Sequence, residues 1–209
     1  MRNSAEQYFC AMWSVPSFVI RHGINLSFIV PMRPLPTPTT IERVLNDHDF
    51  IVSKTDTKGI IKYGNRIFIA MSGYSETELL GANHNIIRHP DMPRCIFQLL
   101  WDTLEQQHEV FAYVKNLCKD GSFYWVLANI TPSFDANGRV VGYFSVRRKA
   151  QPSAIATISE IYARLLAEER RVESGQAARR KESIAASSAL LREFLHSKNM
   201  TYEQYILSI

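Results

Sequence analysis

Cysteine is scarce in this chain, with three residues, Cys10, Cys95 and Cys118, among 209. Their number is odd, their spacing is wide and no CxxC pair occurs. A disulfide framework or a structural zinc site needs cysteines in pairs at suitable spacings. We therefore predict a reducing compartment, the cytoplasm, and neither disulfides nor a bound metal.

Long apolar runs are absent as well. The N-terminal stretch 11–31 is fairly apolar, but Pro16, Arg21 and His22 interrupt it. A membrane-spanning helix needs about 20 mostly apolar residues, and a charged residue near its centre is costly. A secretory signal peptide needs an unbroken apolar stretch followed by a small-residue cleavage site. The sequence predicts neither kind of segment.

A block of like charges and a catalytic motif are also missing. The net charge of +4 is small and spread along the chain, which disfavours binding to nucleic acid. The nucleophile elbow, the phosphate-binding Walker loop and the HExxH zinc motif do not occur. We therefore expect that the protein is not an enzyme.

The apolar content, 46% of 209 residues, is enough for one domain of ordinary size with additions. Three prolines between residues 34 and 38 indicate a stiff, extended linker before this domain. We expect Met32, just upstream of them, to be the natural start. The predicted division is a largely disordered extension and linker over 1–46, a compact domain over 47–150 and a helical region over 151–209.

Short apolar runs that alternate with turns rich in Asp, Asn and Gly predict a sheet in the compact domain. Two runs come first as a hairpin, several short helical segments follow, and three longer runs finish the unit. This order predicts an α+β fold, a five-stranded antiparallel sheet with short helices on one face. The predicted strands are Phe50–Ser53, Ile60–Tyr63, Val110–Cys118, Phe123–Phe134 and Val140–Arg148.

Three helices are predicted between the hairpin and the later strands. Apolar spacing indicates about two helical turns over Asn65–Met71, and Ser75 and Glu78 form a capping box for a second short helix. Asp91 is expected to cap a third helix that runs through Gln107. The apolar face of that helix carries Cys95, Ile96, Leu99, Leu100 and Leu104.

The loop over residues 83–93 is the most informative segment. It combines Asn, His, Arg and Asp side chains with Ile86 and Ile87, and two prolines punctuate it. Loops usually expose their backbone to water, so polar and apolar side chains gathered in one loop indicate a lined cavity. What this loop lines is expected to decide the function.

The order of elements, together with Ser72–Ser75, resembles a PAS domain, a widespread sensory module. The string His84–Pro93, with Val114–Asn116 and Tyr124–Val126, resembles more narrowly the aerotaxis-receptor branch of PAS domains. The resemblance covers residues 48–150 and implies the PAS fold, with the C-terminal helices as an addition to it.

In that branch the PAS cavity commonly holds FAD, whose redox state reports respiratory activity. An isoalloxazine ring needs apolar walls with a few amide donors and acceptors, and its diphosphate needs cationic or donor groups. The resemblance thus implies a cytoplasmic FAD-binding sensor of redox or oxygen state that serves aerotaxis or energy taxis. The implied cofactor-binding residues are Asn65, Arg88, His89 and Asp91, with Asn116, Trp125 and Asn129 as further candidates from strands lining the same cleft.

Several of these residues have simpler roles open to them. Asp91 can pair with Arg88 or act only as a helix cap, and His89 can satisfy nearby backbone groups. Asn65 can form a turn at the start of its helix. These alternatives stay open at the level of sequence.

Other polar and aromatic residues near the loop are expected to be ordinary. His84 is predicted to be solvated, and Trp101 to pack in the core or at the surface. Lys115 and Arg147 are predicted to be solvated strand residues. A histidine can also ligate haem iron, so a haem-binding gas sensor is the alternative function, beside a cofactor-free interaction module.

The C-terminal region is predicted to be helical. Apolar residues at spacings of three and four from Ile155 to Leu166 form one stripe, Gly175 interrupts it, and a second stretch covers 176–196. Thr201 is expected to cap a short final helix. These helices either fold back on the sheet or form a surface for dimerisation or docking. The expected partner is a chemoreceptor-like or other signalling protein.

Overall fold

The computed structural model of the protein describes residues 36–174 and 179–209. The expectations for Met32, Cys10 and Gly175 lie outside these residues. The described residues form seven α-helical or 3₁₀ segments and five strands. The strands are β1 Ile51–Thr55, β2 Ile61–Gly64, β3 Val110–Leu117, β4 Phe123–Phe134 and β5 Val140–Lys149.

The strands form one antiparallel sheet in the order β2-β1-β5-β4-β3. The first hairpin therefore joins the last three strands through β5, which lies at the centre of the sheet. Turns with glycine in the left-handed region, at Gly59, Gly121 and Gly138, connect the hairpins. The predicted α+β fold with a five-stranded antiparallel sheet is confirmed.

Four helical segments lie between β2 and β3, and three follow β5. The first four are α1 Arg66–Ser72, α2 Glu76–Leu79, a 3₁₀ turn His84–Ile87 and α3 Arg94–Glu105. The last three are α4 Pro152–Glu173, α5 Arg180–Ser197 and α6 Tyr202–Ser208. Within the described ranges, no helix is long and apolar enough to cross a membrane.

Side-chain caps fix the starts of three helices as predicted. The Asn65 side chain accepts a hydrogen bond from the Phe68 amide at 3.0 Å and begins α1. Ser75 and Glu78 form the capping box of α2, and Thr201 caps α6.

The start of α3 differs from the prediction. Pro93 occupies the N-cap position, so Asp91 lies too far upstream to cap the helix, and that expectation is wrong. The cap comes instead from α4, because the Glu169 Oε1 atom accepts from the Cys95 amide at 3.0 Å. A carboxylate from the C-terminal region thus takes the place of a local cap.

Residues 39–45 belong to the folded domain, in contrast to the expected disordered extension. The Thr39 amide donates to the Gly121 carbonyl at 2.8 Å, and the Arg43 amide donates to the Phe123 carbonyl at 2.7 Å. Leu45 is buried in the core beside the first strand. Backbone hydrogen bonds hold this stretch to the start of β4, and Leu45 anchors it in the core.

The C-terminal helices fold back on the outer face of the sheet, the first of the two predicted alternatives. Tyr162 of α4 donates from its hydroxyl to the Tyr113 carbonyl of β3 at 2.8 Å and stacks on Trp125 at 6.3 Å between ring centroids. Tyr113 in turn donates to the Ile209 carbonyl at 3.1 Å. The opposite, inner face of the sheet is left to face α1 and α3.

Candidate functional site

A cavity lies between the inner face of the sheet, α3 and the 3₁₀ turn. The cavity has a volume of about 110 Å³. Because one water molecule needs roughly 10–15 Å³, the cavity has room for several water molecules. Apolar lining residues are Ile87, Phe97, Leu100, Trp101, Leu104, Val114, Ala128, Ile130 and Tyr143. Polar lining residues are Ser53, Thr55, Asn83, His84, Asn85, Arg88, Asn116, Ser145 and Arg147.

The loop over residues 83–93 forms one wall of this cavity, as its composition predicts. The Asn83 side chain accepts from the Asn85 amide at 3.0 Å and begins the 3₁₀ turn. Ile87 is buried in the core, and the backbone of Arg88 forms an isolated bridge with Asn116 of β3. These contacts orient the loop so that polar side chains border an otherwise apolar space.

Arg88 is one of two guanidinium groups in the cavity wall. Its guanidinium carbon lies 3.9 Å from the centre of the Phe97 ring, and its Nη2 atom donates to the Met92 carbonyl at 3.4 Å. Burial lowers the pKa of Arg88 to about 9, and the charge of Glu169 on α4 opposes that shift. The positive charge of Arg88 is thus partly balanced by an acid from the C-terminal region.

Arg147 is the second guanidinium group, and its surroundings are different. Its Nη2 atom donates to the Ser53 hydroxyl at 3.1 Å and to the His84 Nε2 atom at 2.8 Å. Burial, and then the charge of Arg147, lowers the pKa of His84 to about 3. His84 is therefore neutral at physiological pH and stacks on the Phe68 ring at 5.7 Å.

Three buried donors in the cavity wall have no hydrogen-bond partner among the described residues: Asn116 Nδ2, Ser145 Oγ and Arg147 Nη1. Their residues are 3%, 5% and 4% exposed. Buried polar groups in folded proteins are normally paired, so these donors suit a ligand that carries hydrogen-bond acceptors. Aromatic walls with a few donors fit a flat heteroaromatic group that carries carbonyl oxygens, as an isoalloxazine ring does.

Comparison with known proteins identifies the fold. Residues 61–147 match the family model of the PAS fold. These residues of the compact domain have the PAS fold. The chain is 38% identical over 127 residues to the aerotaxis receptor of Escherichia coli (strain K12). The matched residues are 61% of this chain and 25% of that protein.

Two further similarities concern the same PAS domain. The nitrogen fixation regulatory protein of Klebsiella pneumoniae is 33% identical over 97 residues, 46% of this chain and 20% of that protein. A solved light-oxygen-voltage domain described with a flavin analogue is 25% identical, with a TM-score of 0.47, and covers 53% of this chain and 83% of its own. The chain spans a quarter or less of the two curated relatives.

Of the seven predicted cofactor-binding residues, Arg88 and Asn116 line the cavity of the PAS domain. Asn65 lies outside the lining, with its side chain occupied by backbone groups. Its Oδ1 atom accepts from the amides of Val52 and Phe68, and its Nδ2 atom donates to the Phe50 carbonyl at 2.7 Å. A role of Asn65 in flavin binding stays a prediction.

His89 and Asp91 lie together at the edge of the PAS sheet, outside the cavity lining. His89 is buried edge-on against Phe123, and its Nδ1 atom accepts from the Asp91 amide at 3.1 Å. Burial, and then the charge of Lys115, lowers the pKa of His89 to about 4. The Asp91 carboxylate pairs with the Lys115 ammonium group at 2.7 Å. Their contribution to a ligand site would be indirect and also stays a prediction.

Trp125 and Asn129 do not line the cleft, so that expectation is wrong. Side chains alternate between the two faces of a strand, and the cavity-lining residues of β4 are Ala128 and Ile130. Trp125 and Asn129 therefore point to the outer face. There Trp125 stacks on Tyr162, and the Asn129 Nδ2 atom donates to the Glu109 carboxylate at 2.8 Å.

Sequence reasoning gave three residues of the PAS cavity other roles. His84 and Arg147 were predicted to be solvated and Trp101 to be a packing residue, but all three line the cavity. For Arg147 the signal was available in the alternation along β5, because Tyr143 and Ser145 share its face. A polar residue two and four positions from inward neighbours in a central strand is expected to point inward as well.

Proposed function

We propose that this chain is a sensor that binds FAD in its PAS cavity and passes the redox state of the flavin to a signalling partner in aerotaxis or energy taxis. The similarity to an aerotaxis receptor supports the pathway, and a light-oxygen-voltage domain described with a flavin analogue is a structural relative. The proposed setting is the cytoplasm, and the proposed role involves no substrate turnover.

The observation that carries the proposal is a cavity with aromatic walls and unpaired buried donors. Phe97 and Trp101 of α3 supply flat apolar surfaces. Asn116 and Ser145 supply donors that have no partner in the described part of the chain. A fold that leaves such groups buried loses stability unless an occupant pairs with them.

Each residue has a distinct role in this proposal. Bound FAD would supply a ring that accepts and releases electrons and changes its charge as it does so. Asn116 and Ser145 would hold the ring by hydrogen bonds, and Phe97 and Trp101 would exclude water from its surface. Arg88, on the loop that forms one wall of the cavity, would bind a diphosphate oxygen.

The route from the cavity to the C-terminal region runs through α3. Phe97 and Leu100 of this helix line the cavity, and the amide of Cys95 at its start is held by Glu169 of α4. Glu169 also accepts from the Ser187 hydroxyl of α5 at 3.1 Å. A shift of α3 would therefore be felt in α4 and α5, where we place the surface for a partner or a second copy. A bias of about 1–3 kcal/mol is enough for such signalling.

An absorption spectrum of freshly purified protein tests the proposal. We expect flavin bands, and extraction by heat should release FAD. A haem Soret band would favour the gas-sensor alternative, for which His84 in the cavity wall is the available ligand. A spectrum without either band, in protein refolded with FAD and with haem, would favour a cofactor-free interaction module.

The Arg88→Ala variant tests whether the Arg88 side chain contributes to FAD binding. We expect at least a tenfold loss of FAD affinity, because a charge-assisted hydrogen bond to the diphosphate contributes about 1.5–3 kcal/mol. The matched control is Arg66→Ala, which removes an exposed arginine from α1 and should leave affinity unchanged. Titration of the apoprotein with FAD measures both. Equal affinities of the two variants would contradict the assignment.

A further inference from the structure

Arg147 lies deep in the PAS domain, on the central strand of the sheet. Its register partners are Ile51 on β1 and Ala128 on β4, both fully buried. Arg147 itself is 4% exposed and lines the cavity. A guanidinium group is rarely buried to this extent unless it is paired with an acid.

No acidic side chain in the described ranges forms a salt bridge with Arg147. Its hydrogen bonds go to the Ser53 hydroxyl and to the His84 Nε2 atom, which accepts and is therefore unprotonated. The Phe68 ring lies 5.7 Å from the guanidinium carbon, and the buried phenol of Tyr124 is a titratable neighbour whose pKa is raised, chiefly by burial, so that it carries no negative charge at neutral pH. The Nη1 atom is buried without a hydrogen-bond partner in this part of the chain.

The contrast with Arg88 sharpens the point. Arg88 has Glu169 as an acidic neighbour that favours its charged form. The titratable hydrogen-bond partner of Arg147 is His84, and burial, followed by the charge of Arg147, lowers the pKa of His84 and keeps that ring neutral. Burying a charge without a counter-ion is costly, and a protein retains such a group where something else supplies the opposite charge. Arg147 lines the cavity, so a ligand bound there could supply that charge.

We propose that Arg147 is the anion-binding group of the cavity and that it binds the negative charge of a reduced flavin ring. This inference rests on the proposed function. Uptake of two electrons and one proton leaves the ring with one negative charge, whereas the oxidised ring is neutral. Arg147 would therefore stabilise bound reduced flavin more than bound oxidised flavin.

The position of Arg147 favours the ring over the diphosphate as the source of that charge. A diphosphate is strongly hydrated, so moving it from water to a buried position beside a central strand would cost much free energy. The apolar ring is the part of FAD that gains from deep insertion. Arg88, on the loop, is the cation available to the diphosphate.

The test uses Arg147→Gln, which removes the charge, and Arg147→Lys, which keeps it. Arg148→Gln is the matched control, because it removes an exposed charge from the next position of β5. FAD and riboflavin affinities are measured in the oxidised state and, anaerobically, after reduction with dithionite. We expect Arg147→Gln to weaken binding of reduced flavin at least tenfold more than binding of oxidised flavin. For a two-electron couple this lowers the midpoint potential by about 30 mV.

Riboflavin, which lacks phosphate, should show the same tenfold difference, and Arg147→Lys should retain most of the wild-type potential. A second expectation concerns the apoprotein. Arg147→Gln should melt at a higher temperature than the wild type without ligand, because an uncompensated buried charge has been removed. If the Gln variant does not fold, Arg147→Met removes the same charge with an unbranched apolar side chain.

Three results would overturn the inference. An unchanged midpoint potential in Arg147→Gln, with FAD still bound, would reject it and leave the proposed function intact. A loss of affinity for FAD in both redox states, with riboflavin unaffected, would assign Arg147 to the diphosphate. Wild-type protein that binds no flavin in either state would reject the proposed function and the ring assignment together.

Discussion

The two faces of the PAS sheet differ in how their buried polar side chains are paired. On the outer face, the hydroxyls of Tyr113 and Tyr162 both find backbone carbonyls, and apolar side chains of α4 and α6 fill the space between them. On the inner face, Asn116, Ser145 and Arg147 keep donors without partners beside a cavity. The outer face thus pairs these polar groups within the fold, whereas the inner face leaves buried donors unpaired among the described residues.

Helix α3 connects the two faces. It lines the cavity with Phe97 and Leu100, while Cys95 at its start is capped by Glu169. The neighbouring ion pair between Arg94 and Glu173 joins the same two helices, and Ser183 donates to Glu173 at 2.9 Å. Glu169, Ser183 and Ser187 are buried at this junction, and their hydrogen bonds hold α3, α4 and α5 in one arrangement.

The largest expected effect is on the outer face. Leu165→Ala removes a fully buried side chain from the core between α4 and the sheet. We expect a loss of about 2–5 kcal/mol in the free energy of unfolding, because a cavity replaces packed atoms. Leu207→Ala, at an exposed position of α6, should cost little. Urea denaturation measures both, and equal losses would mean that the outer face does not carry the stability.

Sequence reasoning reached the sheet and most helices because their signals are local. Glycine turns at Gly121 and Gly138, the cap at Asn65 and the capping box at Ser75 each act within a few residues. The cap of α3 was missed because it comes from Glu169, which is distant in sequence.

The site was only partly predictable for the same reason. The loop residue Arg88 was found by its motif, but Arg147 required knowing which face of β5 turns inward. Trp125 was assigned to the cavity because its strand was identified without the phase of its alternation. One inward residue fixes the direction of all others in a strand, so one known contact in each of β4 and β5 would have corrected both errors.

The next effect is a pH dependence that originates on the inner face. Burial, and then Arg147, lowers the pKa of His84 to about 3 in the folded protein. The unfolded chain binds that proton near pH 6.5, so the stabilising contribution is present above about pH 6.5 and is lost as the pH falls toward 3. Between pH 7 and pH 5 we expect His84 to cost the fold about 2 kcal/mol.

Denaturation at several pH values checks this expectation. His84→Gln should remove the His84 share of the pH dependence. The share of His89 should remain, because its pKa is also lowered by burial, to about 4. Identical pH profiles for the wild type and His84→Gln would show that His84 is not held neutral by the fold.

The smallest expected change in free energy concerns two positions of the inner face, one that lines the cavity and one in the packed core beside it. Ala128 and Ala112 are register partners on the inner face of β4 and β3, and both are buried, but only Ala128 lines the cavity. Ala128→Leu places its added atoms in open space, so we expect little change in stability and at least a tenfold loss of FAD affinity, equivalent to about 1.4 kcal/mol. Ala112→Leu must push aside packed neighbours and should cost about 1–3 kcal/mol of stability. Paired denaturation and flavin titrations measure the difference. If the two substitutions destabilise the fold equally, there is no open space beside Ala128, and the inner face loses the cavity that distinguishes it from the outer face.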